Sequence, residues 1–439
     1  MQIKRKLKVL LGCLAAGLFA GCNTPMPCDP GPGGLCTPII ANTSAPETGR
    51  RANDVAAPNM PNMPVTPVAP LASVPAAIVQ TRPIDLSGPG GLPPAAMQPG
   101  AVQAGAVRIA LMLPLRSEAL GKPAEAVRAG FMAAYERDSA GFVVNLVQAG
   151  DTPDQVTSDY ASAVQNNDIV VGPLARSAVT TLAASQLVLK PTIALNNPDA
   201  NTAVPDLMLV MGLSIEAEAR QVAQMAADEL HAGLPLRALI VSGTNAWQRR
   251  IALAFQTRWK QLGFQSDVVE LADSNGYLSE AALAQLKARV DADPPGLLFA
   301  ALDADQAGQM RMNLDSALPL YGASSVNPGL EPGTAMAQLD GMRLMDLPWE
   351  VQPDHPAVRL HPPRIPSRAM LDMDRLYALG IDAYRVAREI ALRPNQQFRF
   401  NGVTGRLQGK LGAGPSQFSR FYPAVIYQNG AFTPLNGKN

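Results

Sequence analysis

From Val107 onward the chain alternates between short, almost wholly apolar runs and longer stretches in which apolar residues recur every three or four positions. The first kind suits strands buried on both faces of a parallel sheet, the second the helices that cover it. Val107–Leu113 opens the series, and after the loop Pro114–Pro123 the residues Ala124, Val127, Phe131 and Ala134 lie at helical spacing, with Glu125, Arg128 and Glu136 on the opposite side. The same order repeats with strands at Phe142–Gln148, Asp168–Leu174 and Pro191–Asn196 and helices at Thr152–Gln165 and Ala178–Leu187. After the apolar run Leu207–Leu213, Ser214 caps a helix predicted over Ile215–Leu230, with Glu216 and Glu218 in the first turn where the helix dipole favours acids. The rhythm restarts with strands at Leu236–Val241, Ser266–Leu271, Gly296–Leu302 and Leu318–Gly322, separated by helices at Ala246–Leu262, Ser279–Val290 and Ala304–Ala317. Strands and helices in strict alternation imply right-handed crossovers and a parallel sheet in each half.

Leu339–Leu347 returns as an extended segment to Pro348-Trp349, Val351–Pro366 is an irregular Pro-rich loop, and Met370–Ala391 is a strong helix. Phe398–Gln408 and Phe421–Phe432 have no helical period and are broken by Asn401-Gly402 and Asn429-Gly430, as hairpins are. The fold class is therefore α/β, with two lobes of parallel sheet flanked by helices. Lobe 1 covers about 106–212 and 348–395, lobe 2 about 213–347, and a β-rich part 396–439. The lobes would cross near Met211–Ser214 and Leu344–Trp349, and the cleft between them is the expected binding place.

The N-terminal quarter reads differently. Lys4, Arg5, Lys6 and Lys8 precede the apolar stretch Val9–Ala20, which is the layout of a secretory signal, here 1–21, and too short for a permanent span. The ending Leu18-Phe19-Ala20-Gly21-Cys22 resembles a bacterial lipobox, with Phe19 where Leu is usual, and marks Cys22 for lipidation. Asn23 after it fits sorting to the outer membrane. Several acyl chains on one cysteine anchor stably at about 0.8 kcal/mol per buried CH₂. Between Asn23 and Gly105 stand 17 of the 40 prolines, so 22–105 is expected to be a lipidated N-terminus followed by a disordered tether. Such a tether reaches roughly 50 Å as a coil and about 250 Å as polyproline.

Lys plus Arg and Asp plus Glu are 36 each, and no basic run occurs outside the extreme N-terminus, which argues against a nucleic-acid partner. All four cysteines, Cys13, Cys22, Cys28 and Cys36, precede the folded part; Cys28 and Cys36 flank a turn-rich loop that a disulfide could close. No Ser lies in G-x-S-x-G, and neither a phosphate-binding G-x-x-x-x-G-K-[ST] nor a dinucleotide-binding G-x-G-x-x-G is present. His231, His355 and His361 have no metal-ligand spacing, His231 reading as a helix-end residue and the other two as exposed loop residues. No cofactor, metal site or catalytic residue is expected.

The candidates for binding are polar residues at the ends of first-lobe strands: Arg116 and Ser117, Arg176 and Ser177, Asn196 and Asn197. Ser242 to Asn245 face them from a second-lobe strand. A guanidinium there would hold a carboxylate, although each of these residues also suits a cap or turn. Arg249 and Arg250 read as solvated helix residues, and Trp349 in DLPWEV as an aromatic at the cleft rim or hinge.

VRIALMLPL…AVRAGFMAAY, DIVVGPL, PTIALN, LMLVMGLSIEAEARQVAQMA, NAWQRRIALAFQTRWKQLG, LDGMRLMDLPW, RLYALGIDAYRVAREI and FNGVTGRLQ together resemble the LppC/LpoA-type lipoproteins, the penicillin-binding-protein activators, over about 106–432. The resemblance implies a type I periplasmic-binding-protein fold for 106–439, tethered to the periplasmic face of the outer membrane. It also implies a non-catalytic protein that binds a class A penicillin-binding protein and stimulates peptidoglycan synthesis. Better-known members carry a helical-repeat domain where the Pro-rich tether stands here. The alternative expectation is a solute receptor that takes an amino acid or peptide-like ligand between the lobes.

Overall fold

The computed structural model describes residues 105–229, 237–315, 317–362, 366–412 and 414–435; the signal segment, Cys22, the tether and His231 lie outside the described residues. The first lobe is built from β1 (Val107–Leu113), α1 (Gly121–Arg137), β2 (Phe142–Gln148), α2 (Pro153–Asn166), β3 (Ile169–Val171), α3 (Arg176–Ala184), β4 (Thr192–Ala194) and β5 (Met208–Val210). Its strands pair in the order β2-β1-β3-β4-β5, all parallel. Successive side chains of β1 serve opposite faces, as a strand covered on both sides requires. Ile109, Leu111 and Leu113 join the cluster that holds Val127 and Phe131 of α1, while Ala110 and Met112 join Tyr160 of α2 and Leu182 of α3.

The chain then enters the second lobe through α4 (Ile215–Glu229), β6 (Arg237–Ser242), α5 (Ala246–Gln261), β7 (Gln265–Glu270), the small hairpin β8 (Asp273–Ser274) and β9 (Tyr277–Leu278), α6 (Glu280–Ala292), β10 (Leu297–Ala301), α7 (Ala304–Met312), β11 (Leu320–Gly322) and β12 (Arg343–Met345). Again the sheet is covered on both faces. Ile240 and Phe299 pack on α5 through Phe255 and Trp259, and Val241 and Leu298 pack toward Leu283 and Leu286 of α6. Within the expected extended segment Leu339–Leu347 only β12 is strand; Ala337–Leu339 is a 3₁₀ turn.

After β12 the chain returns to the first lobe with the short α8 (Pro348–Val351) and the long α9 (Leu371–Leu392), which packs along α1. That pairing depends on two glycines. A Cβ on Gly130 would stand 1.9 Å from the carbonyl oxygen of Tyr377, and one on Gly380 would stand 2.1 Å from that of Val127. Backbone cannot yield as a flexible side chain does, so the helices touch only because both positions lack a side chain. Gly380→Ala is therefore expected to lower stability by about 1–3 kcal/mol. Urea denaturation checks this, and an unchanged midpoint would show that the helices separate at no cost.

The last stretch is β-rich and is divided between the lobes. β13 (Gln397–Asn401), β14 (Arg406–Lys410) and β15 (Gln417–Phe421) form an antiparallel sheet whose Phe398 and Leu407 enter the first-lobe core. β16 (Ala424–Gln428) and β17 (Ala431–Pro434) instead extend the second sheet, β16 pairing antiparallel with β12. The turn between them is Asn429-Gly430, with φ of 51° and 74°, the left-handed pair that a two-residue hairpin demands. The chain thus passes between lobes at three places: Met211–Ser214, Asp346–Leu347 and Tyr422–Pro423. Only the first two were predicted, because a β-rich tail carries no periodicity that says which sheet each strand joins.

Candidate functional site between the lobes

The crossings are laced together. Arg420, on β15, donates from its guanidinium to the carbonyls of Met211 (2.8 Å) and Gly212 (3.0 Å) and to Thr404 Oγ1 (3.1 Å). Gln221 of α4 donates to the Arg420 carbonyl (2.8 Å) and accepts from the Tyr422 amide (3.1 Å). Asp382, fully buried in α9, accepts from the Thr404 amide and hydroxyl, each at 2.7 Å, and from the Val403 amide at 3.2 Å.

Beside these crossings a cavity of about 750 Å³ opens between the lobes. Its walls are the first turns of helices that follow strands: Arg176 of α3, Ile215 and Glu216 of α4, Trp247 of α5, and Asp303 and Asp305 at the start of α7. This is where α/β sheets place their ligands, outside the carboxyl ends of the strands. Charges of both signs line it, together with Leu213, Leu347, Leu371 and Leu376.

Its floor is a buried ionic cluster. Arg375 of α9 donates from Nη2 to Asp346 Oδ2 (2.7 Å) and to the Ser324 carbonyl (3.0 Å). Asp346, itself 0 % exposed, also accepts from Asn327 Nδ2 and the Leu347 amide, both at 2.7 Å. Glu218 of α4 accepts from the Ser324 amide (3.1 Å). Burial, with the Asp346 charge nearby, pushes the Glu218 carboxyl up from 4.5 to about 7. Arg375 is held charged by Asp346, Glu350 and Glu218 against the cost of its own burial. The lobes are also tied at the cavity edge, where Arg368 pairs with Asp305 of α7 at 2.8 Å and its amide donates to Glu331 at 3.0 Å.

Of the residues singled out from the sequence, Arg176 lines this cavity. Arg116 and Ser117 line a separate open depression with Gly150, Asp151 and Asp159, and Ser117 Oγ accepts from the Leu120 amide as a turn former. Ser177 is exposed beside Arg176. Asn196 closes a turn, donating to the Leu174 carbonyl and accepting from the Asn197 amide. Trp349 is 6 % exposed rather than at the rim, because the proline-led turn of α8 folds it onto Tyr377 and His361. For the same reason His355 and His361 are half-buried, not exposed, and burial holds both below the usual imidazole range. Ser242 is buried, and Thr244 and Asn245 serve Asp273 and the start of α5. Arg250, read as solvated, is exposed yet lines the cavity, paired with Glu216 at 2.9 Å.

The residues of the floor were not anticipated. A signal existed: Glu218 lies in register with Val222 and Met225, and Arg375 with Leu379, Asp382 and Val386, on the buried stripes of their helices. A charge inside an apolar stripe is the mark of a paired buried group. Among the described residues no group of three or more His, Cys, Asp and Glu is placed to hold a metal ion, and no helix is long and apolar enough to cross a membrane.

Two lobes of parallel sheet joined by crossing strands, with a cavity at the strand ends of both, define the type I periplasmic-binding-protein fold. The family described as "LppC putative lipoprotein" matches residues 100–411, and the chain belongs to that family. Similar curated proteins are the penicillin-binding protein activator LpoA of Haemophilus ducreyi, 28% identical over an alignment of 353 residues that covers 75% of this chain and 54% of that protein, and LpoA of Glaesserella parasuis, 25% identical over an alignment of 339 residues that covers 75% of this chain and 55% of that protein. The chain thus spans about half the length of the curated relatives it matches. A solved structure from Chromobacterium violaceum, described as "a putative branched-chain amino acid ABC transporter", is 33% identical with a TM-score of 0.61, covering 73% of this chain and 100% of that one. The C-domain of Haemophilus influenzae LpoA, described as a regulator of PBP1A, shares the fold at 22% identity and a TM-score of 0.58, covering 75% of this chain and 99% of that one.

Proposed function

We propose that this chain is an outer-membrane lipoprotein, anchored through lipid on Cys22, that binds a class A penicillin-binding protein and activates peptidoglycan synthesis without catalysing a reaction itself. The observation that carries this reading is the family match over 100–411, whose curated relatives are named as activators of penicillin-binding proteins. The tether 23–105 supplies the reach from the membrane to a synthase across the wall, and 106–439 supplies the surface that meets it. Activation then requires that the chain bind the active state of the synthase more tightly than the inactive one.

A second reading has its own support. The cavity of about 750 Å³, lined from both lobes by charges of both signs, suits a dipolar solute such as an amino acid or short peptide, and the likeness to the Chromobacterium violaceum structure favours it. The two are separated by one assay, glycan and cross-link synthesis by a class A penicillin-binding protein from the same organism, with and without this chain lacking its first 22 residues. Faster synthesis with direct binding is the expected result. No binding and no change, with an active synthase, would reject the regulator reading in favour of the solute receptor.

A further inference from the structure

On the first lobe a second pocket, of about 230 Å³, shares no lining residue with the cleft. It lies between the end of α1, the middle of α9 and β13, and three guanidinium groups meet in it. Arg137 is fixed at one wall by donating to the Leu360 carbonyl (2.7 Å). Arg385 is held by Asp382 (3.2 Å) and the Asn401 carbonyl (3.1 Å), and lies 4.4 Å over the Phe400 ring. Arg388 is ion-paired through its buried Nε with Asp138 Oδ2 at 3.2 Å, out of hydrogen-bond alignment.

Three carboxylates face this group: Asp382 pairs with Arg385 at 3.2 Å, Asp138 with Arg388 at 3.2 Å, and Glu389 is engaged by Arg393 at 2.7 Å, outside the pocket. At His361, on the same wall, burial and then Arg137 and Arg385 hold the imidazole below the usual range, with Asp382 opposing them. Each guanidinium carries five N–H donors, more than these partners take up, and its planar fork matches the oxygens of carboxylate and phosphate. The volume equals that of about eight waters, enough for a compact organic anion.

We propose that this pocket binds a compact anion through a carboxylate or phosphate group, gripped by Arg385 and Arg388 with Arg137 and His361 beside it. The site shares no lining residue with the interlobe cleft. Its test uses the chain lacking its first 22 residues, titrated calorimetrically with citrate, succinate and inorganic phosphate in a buffer of monovalent ions. Saturable binding of at least one is expected, weakened about tenfold or more by Arg388→Gln, equivalent to about 1.4 kcal/mol. Arg388→Lys, which keeps the charge but not the fork, should fall between. Preference for phosphate would assign a phosphoryl ligand, and preference for a dicarboxylate an acidic peptide or sugar acid.

A second readout is the titration of His361 by NMR, in a chain with three histidines. The groups facing it are Arg137 and Asp138 from α1 and Asp382, Tyr384, Arg385, Arg388 and Glu389 from α9, with Trp349 at its edge. Adding an anion among them should raise the His361 midpoint more than that of His355. The proposal is overturned by the absence of saturable binding up to about 10 mM, where affinity would be only about 3 kcal/mol. It is equally overturned by binding that Arg385→Gln and Arg388→Gln both leave unchanged, with His361 unmoved.

Discussion

Arg375→Met is expected to lower the stability of the folded domain by about 3–5 kcal/mol, the largest loss among the substitutions considered. The side chain is nearly isosteric along its stem, so the cavity it leaves is small. What it removes is the cation paired with Asp346, which is 0 % exposed, and lying close to Glu218 and Glu350, which are 4 % and 2 % exposed. Breaking a buried pair leaves a charge that neither water nor a partner compensates, and that penalty exceeds the modest net worth of the pair itself. Because Arg375 reaches from α9 to the Ser324 carbonyl of the second lobe, the substitution also frees the lobes at the cleft floor. Urea denaturation of Arg375→Met, Asp346→Asn and the double variant measures this. The double variant should lose less than the sum of the two singles, since the uncompensated charge is gone. Strict additivity would show that Arg375 and Asp346 are not coupled, and the account of the floor would fail.

The alternation of strands and helices was legible because two-faced burial leaves a strong mark: Ile109–Leu113, Ala238–Val241 and Leu297–Ala301 are apolar without interruption and all lie in interior strands. The two crossings at Met211–Ser214 and beside Trp349 followed from where that rhythm paused. The third crossing did not, since Tyr422–Pro423 separates two strands of like composition that enter different sheets. The site was legible only at Arg176. Polar residues just past a strand mark where a cleft opens but not which of them the opposing lobe covers. Asn196 and Ser117 went to turns, which any chain needs, whereas Glu218 meets Ser324 across 106 residues and Arg375 meets Asp346 across 29. Arg420 illustrates the same limit: in sequence it is a charge in a β-rich tail, in space it binds the first crossing.

At the floor, Glu218 is buried beside the Asp346 charge, and stability therefore depends on pH. Glu218 titrates at about 7 in the folded chain and at 4.5 as an ordinary carboxyl. Between those values the folded state holds a proton that the unfolded state releases, so its contribution to stability is full below 4.5 and is lost as pH rises through about 7. A shift of that size corresponds to about 3 kcal/mol, at about 1.4 kcal/mol per unit. Glu218→Gln removes the charge while keeping an oxygen for the Ser324 amide, so it is expected to raise stability by up to about 3 kcal/mol above the window and to change little below it. The comparison that matters is the difference between the two proteins at each pH, because carboxylates away from the floor titrate equally in both. If that difference is flat across the window, Glu218 is charged throughout. The cleft floor would then be wetter than its burial indicates, and Arg375 would be neutralising a cluster more negative by one charge at neutral pH.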